Sequence, residues 1–364
     1  MEYRRLQRGT EEISIIGIGT SSIGQGGALE CAKTAEMAIE NGINYFDLAA
    51  GDAVPFTAFT DVIAGCRDKV YLQVHFGPDY SSGEYSRTNE LEAVKRGFDW
   101  QMNSLKTDYV DFGFVHCVDE MNVLEQIIHG GVLDYIKEMK KQGVVRHIAL
   151  SSHTPAIVNR LLDLDVLDML MFSINPAYDY RHGDYAYGEV DERMAMYRRC
   201  EAMGVGISVM KPFGGGKLLK AETSPLKHAL TEYQCLQYAL DKPGVLTTLP
   251  GVRNREDLKR VLGFLKASPE EKDYSVLGTL APQDAKGVCV YCNHCQPCPA
   301  GLNVGLINKY YDLACVGDLM AKDHYMQLNK HAEDCIGCGH CNATCPFRVD
   351  QVGRMQEIKD YFGK

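Results

Sequence analysis

The chain has 364 residues and no excess of positive charge; its formal net charge is −10 at pH 7. A broad basic face for the phosphate backbone of nucleic acid is therefore not expected. No run of about 18 apolar residues occurs, so no helix is expected to span a bilayer. The first residues, MEYRRLQRGTEE, are polar and lack the apolar stretch of a secretory signal. The expected location is the cytoplasm, where a disulfide framework is not expected. Low-complexity segments and short-period repeats are also missing. A composition of 45% hydrophobic and 24% charged residues excludes a disordered or collagen-like chain.

Cysteine is abundant, with 14 in all, and eight of them fall into two tight motifs. The first motif, CVYCNHCQPCP, contains Cys289, Cys292, Cys295 and Cys298. The second, CIGCGHCNATCP, contains Cys335, Cys338, Cys341 and Cys345. The second follows the bacterial ferredoxin spacing C-x₂-C-x₂-C-x₃-C-P, in which the last cysteine reaches the other cluster. On that logic Cys289, Cys292, Cys295 and Cys345 hold one [4Fe-4S] cluster. Cys335, Cys338, Cys341 and Cys298 then hold a second. The first motif is one residue short before Cys298. Two structural zinc sites could also use eight cysteines, but the terminal Cys-Pro of both motifs favours iron and sulfide. The residues between the motifs have helical spacing, which predicts an α-helical ferredoxin-like module. Cys315 lies off both motifs and reads as a packed thiol.

The first 268 residues alternate strand and helix patterns. Strands are predicted at 14–20, 45–49, 70–76, 108–117, 145–152, 168–176, 205–212 and 245–251, each short, apolar and bounded by turn residues. Helical segments follow them, including 32–42, the run from Glu90 to Leu105 and the run from Leu226 to Leu240. Buried strands alternating with helices indicate a parallel sheet, and eight repeats suggest a closed barrel. An open doubly wound sheet is the alternative. The expected architecture is α/β: a (β/α)₈ TIM barrel over 1–268, a polar, proline-bearing linker over 269–287, and a C-terminal α-helical ferredoxin-like domain over 288–364.

The segments IGIGT, NGINYFDLA, DYVDFGFVH, VVRHIALSSH, VMKPFGGGKLL and LPGVRN, with the two cysteine motifs, resemble the aldo/keto reductase family. The similar subgroup carries a C-terminal ferredoxin-like domain. The resemblance implies a barrel that binds NADP(H) at its C-terminal face and moves hydride between a carbonyl and an alcohol. It also implies a catalytic quartet of Asp, Tyr, Lys and His. Asp47 and His116 match. The tyrosine position holds Asp52 and the lysine position holds His75, so half the quartet is replaced. For the cofactor, the resemblance points to Ser151 and Ser152 after the fifth strand, where a Ser-Asn pair is usual. The residues themselves offer phosphate-binding potential at Lys211, which ends the seventh strand, at Gly214, Gly215 and Lys217 in the glycine-rich loop 212–219, and at Gly251, Arg253 and Arg255 where the last helix opens. Phe172 stands near the usual sixth-strand glutamine, and Arg260 and Val261 replace the usual adenine contacts.

Strand ends in a barrel of this kind are where active sites lie. Histidine exchanges protons near neutral pH, so His116 or His75 could replace the tyrosine, with Asp47 or Asp52 orienting a ring. Two histidines and a carboxylate also match a facial metal triad. Tyr178 and Tyr180, on the loop after the sixth strand, are candidates for the pocket wall or a hydroxyl acid. Cys117 reads as a buried thiol rather than a nucleophile. The leading reading is an anaerobic oxidoreductase of a small, sugar-like carbonyl or alcohol, with a ferredoxin or flavodoxin as redox partner. Nicotinamide moves electron pairs and each cubane moves one electron. A flavin normally bridges the two; no flavin motif is present, and a flavin is left open. The rival readings are a lyase, dehydratase or epimerase using the same acid–base groups, and an electron-transfer subunit with a silent barrel.

Overall fold

A computed structural model describes the chain except residues 24–25, 181–184, 281–286, 288 and 316–320. Eight parallel strands form the barrel: β1 (Ile18–Gly19), β2 (Tyr45–Asp47), β3 (Tyr71–Phe76), β4 (Val110–Val115), β5 (Val145–Ser152), β6 (Met169–Ser173), β7 (Gly206–Met210) and β8 (Val245–Leu249). Each pairs with its neighbour in sequence order. Closure comes from Ile16, which bridges Thr248 in parallel. Gly17 N donates to Thr248 O, and Thr248 N to Ile15 O, both at 2.9 Å. The sheet is therefore a closed barrel, not an open doubly wound sheet.

The predicted first strand, 14–20, divides. Ser14 belongs to a short antiparallel hairpin, Tyr3–Arg5 with Glu12–Ser14, and only Ile18 and Gly19 pair with β2. The hairpin lies at the bottom rim, where Arg4 Nη1 donates to Leu240 O and Val245 O at 2.8 and 2.7 Å. Side chains alternate along the strands. One set, including Tyr45, Phe112, Phe114, Met169 and Leu246, forms a cluster of its own. The other packs against the helices.

The helices of the barrel layer are α1 (Ala28–Glu40), α2 (Val54–Ile63), α3 (Leu91–Leu105), α4 (Met121–His129), α5 (Val132–Lys141), α6 (Pro155–Asp163), α7 (Val190–Ala202), α8 (Glu232–Leu240) and α9 (Arg255–Leu262). The pattern over 226–240 predicts a longer helix than α8. Thr231 stops it: its side chain accepts from Gln234 N at 3.1 Å, while Gln234 reaches back to Thr231 N at 2.9 Å. That capping box fixes the start of the helix.

Beyond the barrel, the regular elements described are helical: α10 (Val304–Cys315), α11 (Ala321–Met326), α12 (His340–Thr344) and α13 (Gln351–Phe362), with short turns. This module has its own core of Leu302, Ile307, Tyr325, Met355, Ile358 and Phe362. Val290, Tyr291, Phe347 and Val349 instead join the core of the barrel. The described part of segment 269–287 is packed rather than free. Tyr274 and Leu277 are buried, and Tyr274 OH donates to Asp241 at 2.8 Å. A Cβ on Gly278 would lie 2.2 Å from Pro346, so only glycine lets the two segments meet.

The loop after β6 ties barrel and module together. Asp179 accepts from Arg193 Nε, Tyr197 OH and Tyr238 OH at 2.9, 2.7 and 2.8 Å. Arg193 also donates to Ser173 O at 2.6 Å. Tyr180 stacks on Phe347 with ring centroids 6.4 Å apart. Tyr178 and Tyr180 are both buried, and Tyr180 faces the module, not the barrel mouth. Asp179 and Arg193 are both fully buried, and removing one partner of such a pair leaves an uncompensated charge. Asp179→Ala is therefore expected to destabilise the protein by about 3–5 kcal/mol, read as a lower midpoint in denaturant unfolding followed by circular dichroism.

Candidate functional site

β2, β3 and β4 are neighbours, so Asp47 at the end of β2, His75 near the end of β3 and His116 just beyond β4 meet at the C-terminal rim. The meeting is a chain of hydrogen bonds. His75 Nε2 lies 2.8 Å from Asp47 Oδ1. His75 Nδ1 lies 3.0 Å from His116 Nδ1. His116 Nε2 lies 2.9 Å from Tyr85 OH. Gln73, two residues before His75 and so on the same strand face, lies 3.0 Å from His75 Nε2. Asp47, Gln73 and His75 are buried, and Tyr85 is 40% exposed. The chain thus runs from inside the barrel to solvent.

The bonding order assigns the protons. A carboxylate only accepts, so His75 Nε2 donates to Asp47, and the Gln73 amide nitrogen, itself a donor, lies beside that N–H without bonding it. A neutral ring then has Nδ1 free to accept, and His116 Nδ1 donates to it. His116 Nε2 is left to accept the Tyr85 hydroxyl proton. Burial, with His75, Arg87 and His153 nearby, holds His116 well below the usual histidine range, consistent with a neutral ring. Asp47 Oδ1 is engaged by His75, and among the described residues nothing hydrogen-bonds Oδ2. The two histidines and Asp47 bond to one another rather than converging on one point, and the facial metal triad is not formed.

Asp52 stands apart. Its Oδ1 accepts from Val54 N at 2.9 Å at the start of α2, and it is not among the residues that line the cavity at the mouth. Its backbone pairs with Glu84, and Ala53 N donates to Gly83 O at 3.2 Å. The loop after β2 is therefore bound to the loop that carries Tyr85. Tyr85 has no motif around it; its only signal in the sequence is its place on a loop after a barrel strand.

A second strut crosses the rim. Asp119 accepts from Ser152 Oγ at 3.1 Å, His153 N at 2.6 Å and His153 Nδ1 at 2.9 Å. His153 Nε2 then accepts from Lys211 Nζ at 2.9 Å, and Tyr185 stacks on the His153 ring at 4.4 Å. Burial pushes the Lys211 amine down. Cys117 and Lys211 both have left-handed backbones, with φ +47° and +55°, a strained state for side-chain-bearing residues that clusters at functional sites. Cys117, Asp119 and His153 put ligand atoms within 4.8 Å of one another. The Asp119–His153 bond already occupies that space, so the group reads as a hydrogen-bonded strut.

A cavity of about 890 Å³ opens between these features. Asp47, His75, His116, Cys117, Ser151 and His153 form its inner wall, and Lys211, Gly215, Gly216, Lys217, Gly251 and Arg253 reach its outer part. Gly215 and Gly216 have φ of +67° and +85°, and nothing lies within 4 Å of where their Cβ would be. Backbone can be approached closely there. Gly214 is buried behind them. Ser152 is tied to Asp119, Arg253 to Asp257 at 2.7 Å, and Arg255 to Glu30 at 3.1 Å outside the cavity. Phe172 points away, under Arg193 at 4.9 Å, and Met171 takes the wall position on β6.

A sequence profile of the Aldo/keto reductase family matches residues 15–234. The chain belongs to the aldo/keto reductase family. An uncharacterized oxidoreductase of Bacillus subtilis, YqkF, is 25% identical over 290 residues, spanning 71% of this chain and 89% of that protein. The aldo-keto reductase YhdN of the same organism is 27% identical over 163 residues, 42% of this chain and 47% of its own length. Among solved structures, the holo form of aldo-keto reductase AKR11C1 from Bacillus halodurans superposes with a TM-score of 0.64 at 20% identity. It covers 78% of this chain and 97% of its own. That likeness concerns the fold. Family membership makes the protein an aldo/keto reductase-like oxidoreductase. No described helix is long and apolar enough to cross a membrane.

The profile match ends before the cysteine motifs, whose thiols sort by position. Burial pushes the Cys292 thiol up to about 12, with Cys289 and Cys345 adding to it. Cys295, also near 12, has Cys289, Cys292 and Cys345 as neighbours. Cys341 has Cys335 and Cys298. Cys338 is exposed at the surface, as is Cys315. Among the described residues, none of the eight motif cysteines belongs to a group of three ligand atoms within 4.8 Å of one another. A tetrahedral zinc with Zn–S bonds of about 2.3 Å would draw its sulfurs to about 3.8 Å.

The lowered pKa of His116 links the site to stability. Folded, the ring stays neutral; unfolded, it takes a proton below about pH 6.5. Stability is therefore full above that pH and falls as the pH drops toward the folded pKa. His116→Gln is expected to flatten this acid-side loss by up to about 1.4 kcal/mol per pH unit, read from denaturant midpoints between pH 5 and 7.5.

Proposed function

We propose that this protein oxidises or reduces a small, sugar-like alcohol or carbonyl in the cavity at the barrel mouth. Asp47 exchanges the substrate proton, and its C-terminal module holds two [4Fe-4S] clusters that trade electrons with a ferredoxin or flavodoxin. The observation that carries the reading is the Asp47–His75–His116–Tyr85 chain. Each of its hydrogen bonds points inward. One concerted shift moves the His75 proton to Asp47, the His116 proton to His75 and the Tyr85 proton to His116, and water replaces the last. The proton arrives on Asp47 Oδ1, and rotation of the carboxyl about Cβ–Cγ turns that O–H from His75 to an oxygen in the cavity, as carbonyl reduction requires; alcohol oxidation runs the sequence backwards. Tyr85 restores from the third-strand loop the phenol that the family places on the second. His75 replaces the lysine with a ring that can pass a proton in either direction.

NADP(H), when bound, supplies or accepts the hydride. Ser151, Lys211, Gly215, Lys217, Gly251 and Arg253 would hold it, because the open glycine backbone and the cations of the outer cavity suit a pyrophosphate. Arg255 and Ser152 are engaged elsewhere and fit this role less well. For the module, the grouping of thiols supports the crossed assignment of Cys298 and Cys345. The terminal Cys-Pro of both motifs suits a cubane better than a zinc ion. Two one-electron clusters together match the electron pair of one alcohol oxidation.

Anaerobic purification should give roughly eight irons and as many sulfides per chain, and mass spectrometry of the released small molecules should find nicotinamide. Zinc in their place would overturn the cluster assignment. With substrates drawn from a panel of small hydroxy and carbonyl compounds, Asp47→Asn and Tyr85→Phe are each expected to lower kcat about 10²- to 10⁴-fold. Unchanged turnover in both would remove the proton chain from the mechanism.

A further inference from the structure

Lys242 lies between α8 and β8, on the side of the barrel shell that meets the cysteine module. It is 2% exposed. Among the described residues its Nζ has no hydrogen-bond partner. Two carboxylates act on it and neither bonds it. Asp241 is engaged by Tyr274 OH and Gln237 Nε2 at 2.8 and 2.7 Å. Asp179 is held by Arg193, Tyr197 and Tyr238. The Tyr238 ring lies 3.6 Å from Nζ and the Tyr274 ring 6.0 Å. A ring face recovers only part of what an ammonium loses on leaving water. On its remaining side stands the first cysteine motif: Lys242 lines one cavity with Tyr291 and Asn293, the residues on either side of Cys292, and the Cys289 and Cys292 sulfurs are near enough to act on its charge.

We propose that Lys242 is the resident counter-cation of the cluster held by Cys289, Cys292, Cys295 and Cys345, and that it raises that cluster's reduction potential. The inference rests on the cluster assignment above. A cubane on four thiolates is an anion, and a donor that passes it one electron adds a further negative charge with no bond made or broken. A fixed cation on one side stabilises the reduced form more than the oxidised form. The ammonium, left without a partner by the protein, gains the charge it lacks. Beside the second cluster, whose Cys338 is at the surface, the buried nitrogens without a partner among the described residues are the ring Nε2 atoms of His331 and His340, and no ammonium is among them. The two clusters are therefore set at different potentials, with the one against the barrel the easier to reduce.

The test uses the full chain, purified anaerobically with its iron and sulfide counted, and titrated with dithionite under electron paramagnetic resonance. In Lys242→Met one midpoint should move to more negative potential. The expected size is at least about tenfold in the reduction equilibrium, which is about 59 mV for one electron. Lys242→Arg should keep the native value, and the second midpoint should stay put in both. A Cys338→Ser background, which deletes a ligand of the other cluster, identifies the signal that moves. Lys242→Gln serves in the same way should the methionine variant not fold. Full iron with both midpoints unchanged in the neutral variants would overturn the role of Lys242 alone. Native protein that holds no iron would overturn the cluster assignment itself, and with it this inference; the iron count separates the two failures.

Discussion

Gly17 N and Ile15 O hydrogen-bond Thr248 at 2.9 Å each, and these two bonds join the first strand to the eighth. A Cβ on Gly17 would sit 2.8 Å from Leu249 and 3.0 Å from Tyr45 O, so the seam closes only around glycine. Closure has a chemical consequence. It turns eight strand ends into one rim and leaves an interior with room for side chains but little water. Polar groups that point inside must then satisfy one another. Asp47 and His75 do so, and their hydrogen-bond chain continues through His116 to Tyr85 at the surface.

On the proposed carry-over of the family's quartet to Asp47, Asp52, His75 and His116, that constraint explains how two members can change without the site dissolving. A lysine beside Asp47 would form an ion pair, and an ion pair holds a proton in place. A histidine at the same position, bonded through both ring nitrogens, conducts one. With the β3 position conducting, the phenol need not sit beside Asp47. It can stand two rings away, on a loop. The loop after β2, relieved of the tyrosine, uses Asp52 to begin a helix and its backbone to brace the loop that now carries the phenol.

The barrel was legible because its signal is periodic and local. All eight strands lie within the ranges that alternation and turn residues predict, and β1 is shortened where the chain also serves the hairpin. Asp47, His75 and His116 were legible because they sit on those strands or next to them. Tyr85 was not, because its role depends on the pairing of two loops, which no residue spacing records. Asp52 misleads for the same reason: position after β2 says where a side chain starts, and the Val54 amide decides where it points. His153 could have been found, directly after the two serines, but its tie to Asp119 spans 34 residues. Lys242 reads as an ordinary lysine after a helix; only burial beside Tyr238 and beside Tyr274, which belongs to the segment whose composition reads as a linker, makes it unusual.

The two unusual sites answer one problem from opposite directions. At the mouth, a carboxylate at the inner wall of the cavity is bonded by a ring whose hydrogen-bond chain leads to the surface. At the flank, an ammonium enters a dry interface and is left facing thiols. Charge inside a protein persists only when something compensates it. Asp47 is compensated by hydrogen bonds that can move, and Asp179 by the fixed guanidinium of Arg193 with two phenols. The same Asp179 fastens Tyr238, the ring beneath Lys242, and precedes Tyr180, the ring against Phe347. The barrel's most deeply buried ion pair therefore holds the surface on which the cysteine module rests. That packing and the hydrogen-bond chain at the mouth stand on different elements, the first on the loop after β6 and the second on β2, β3 and the loops after β3 and β4.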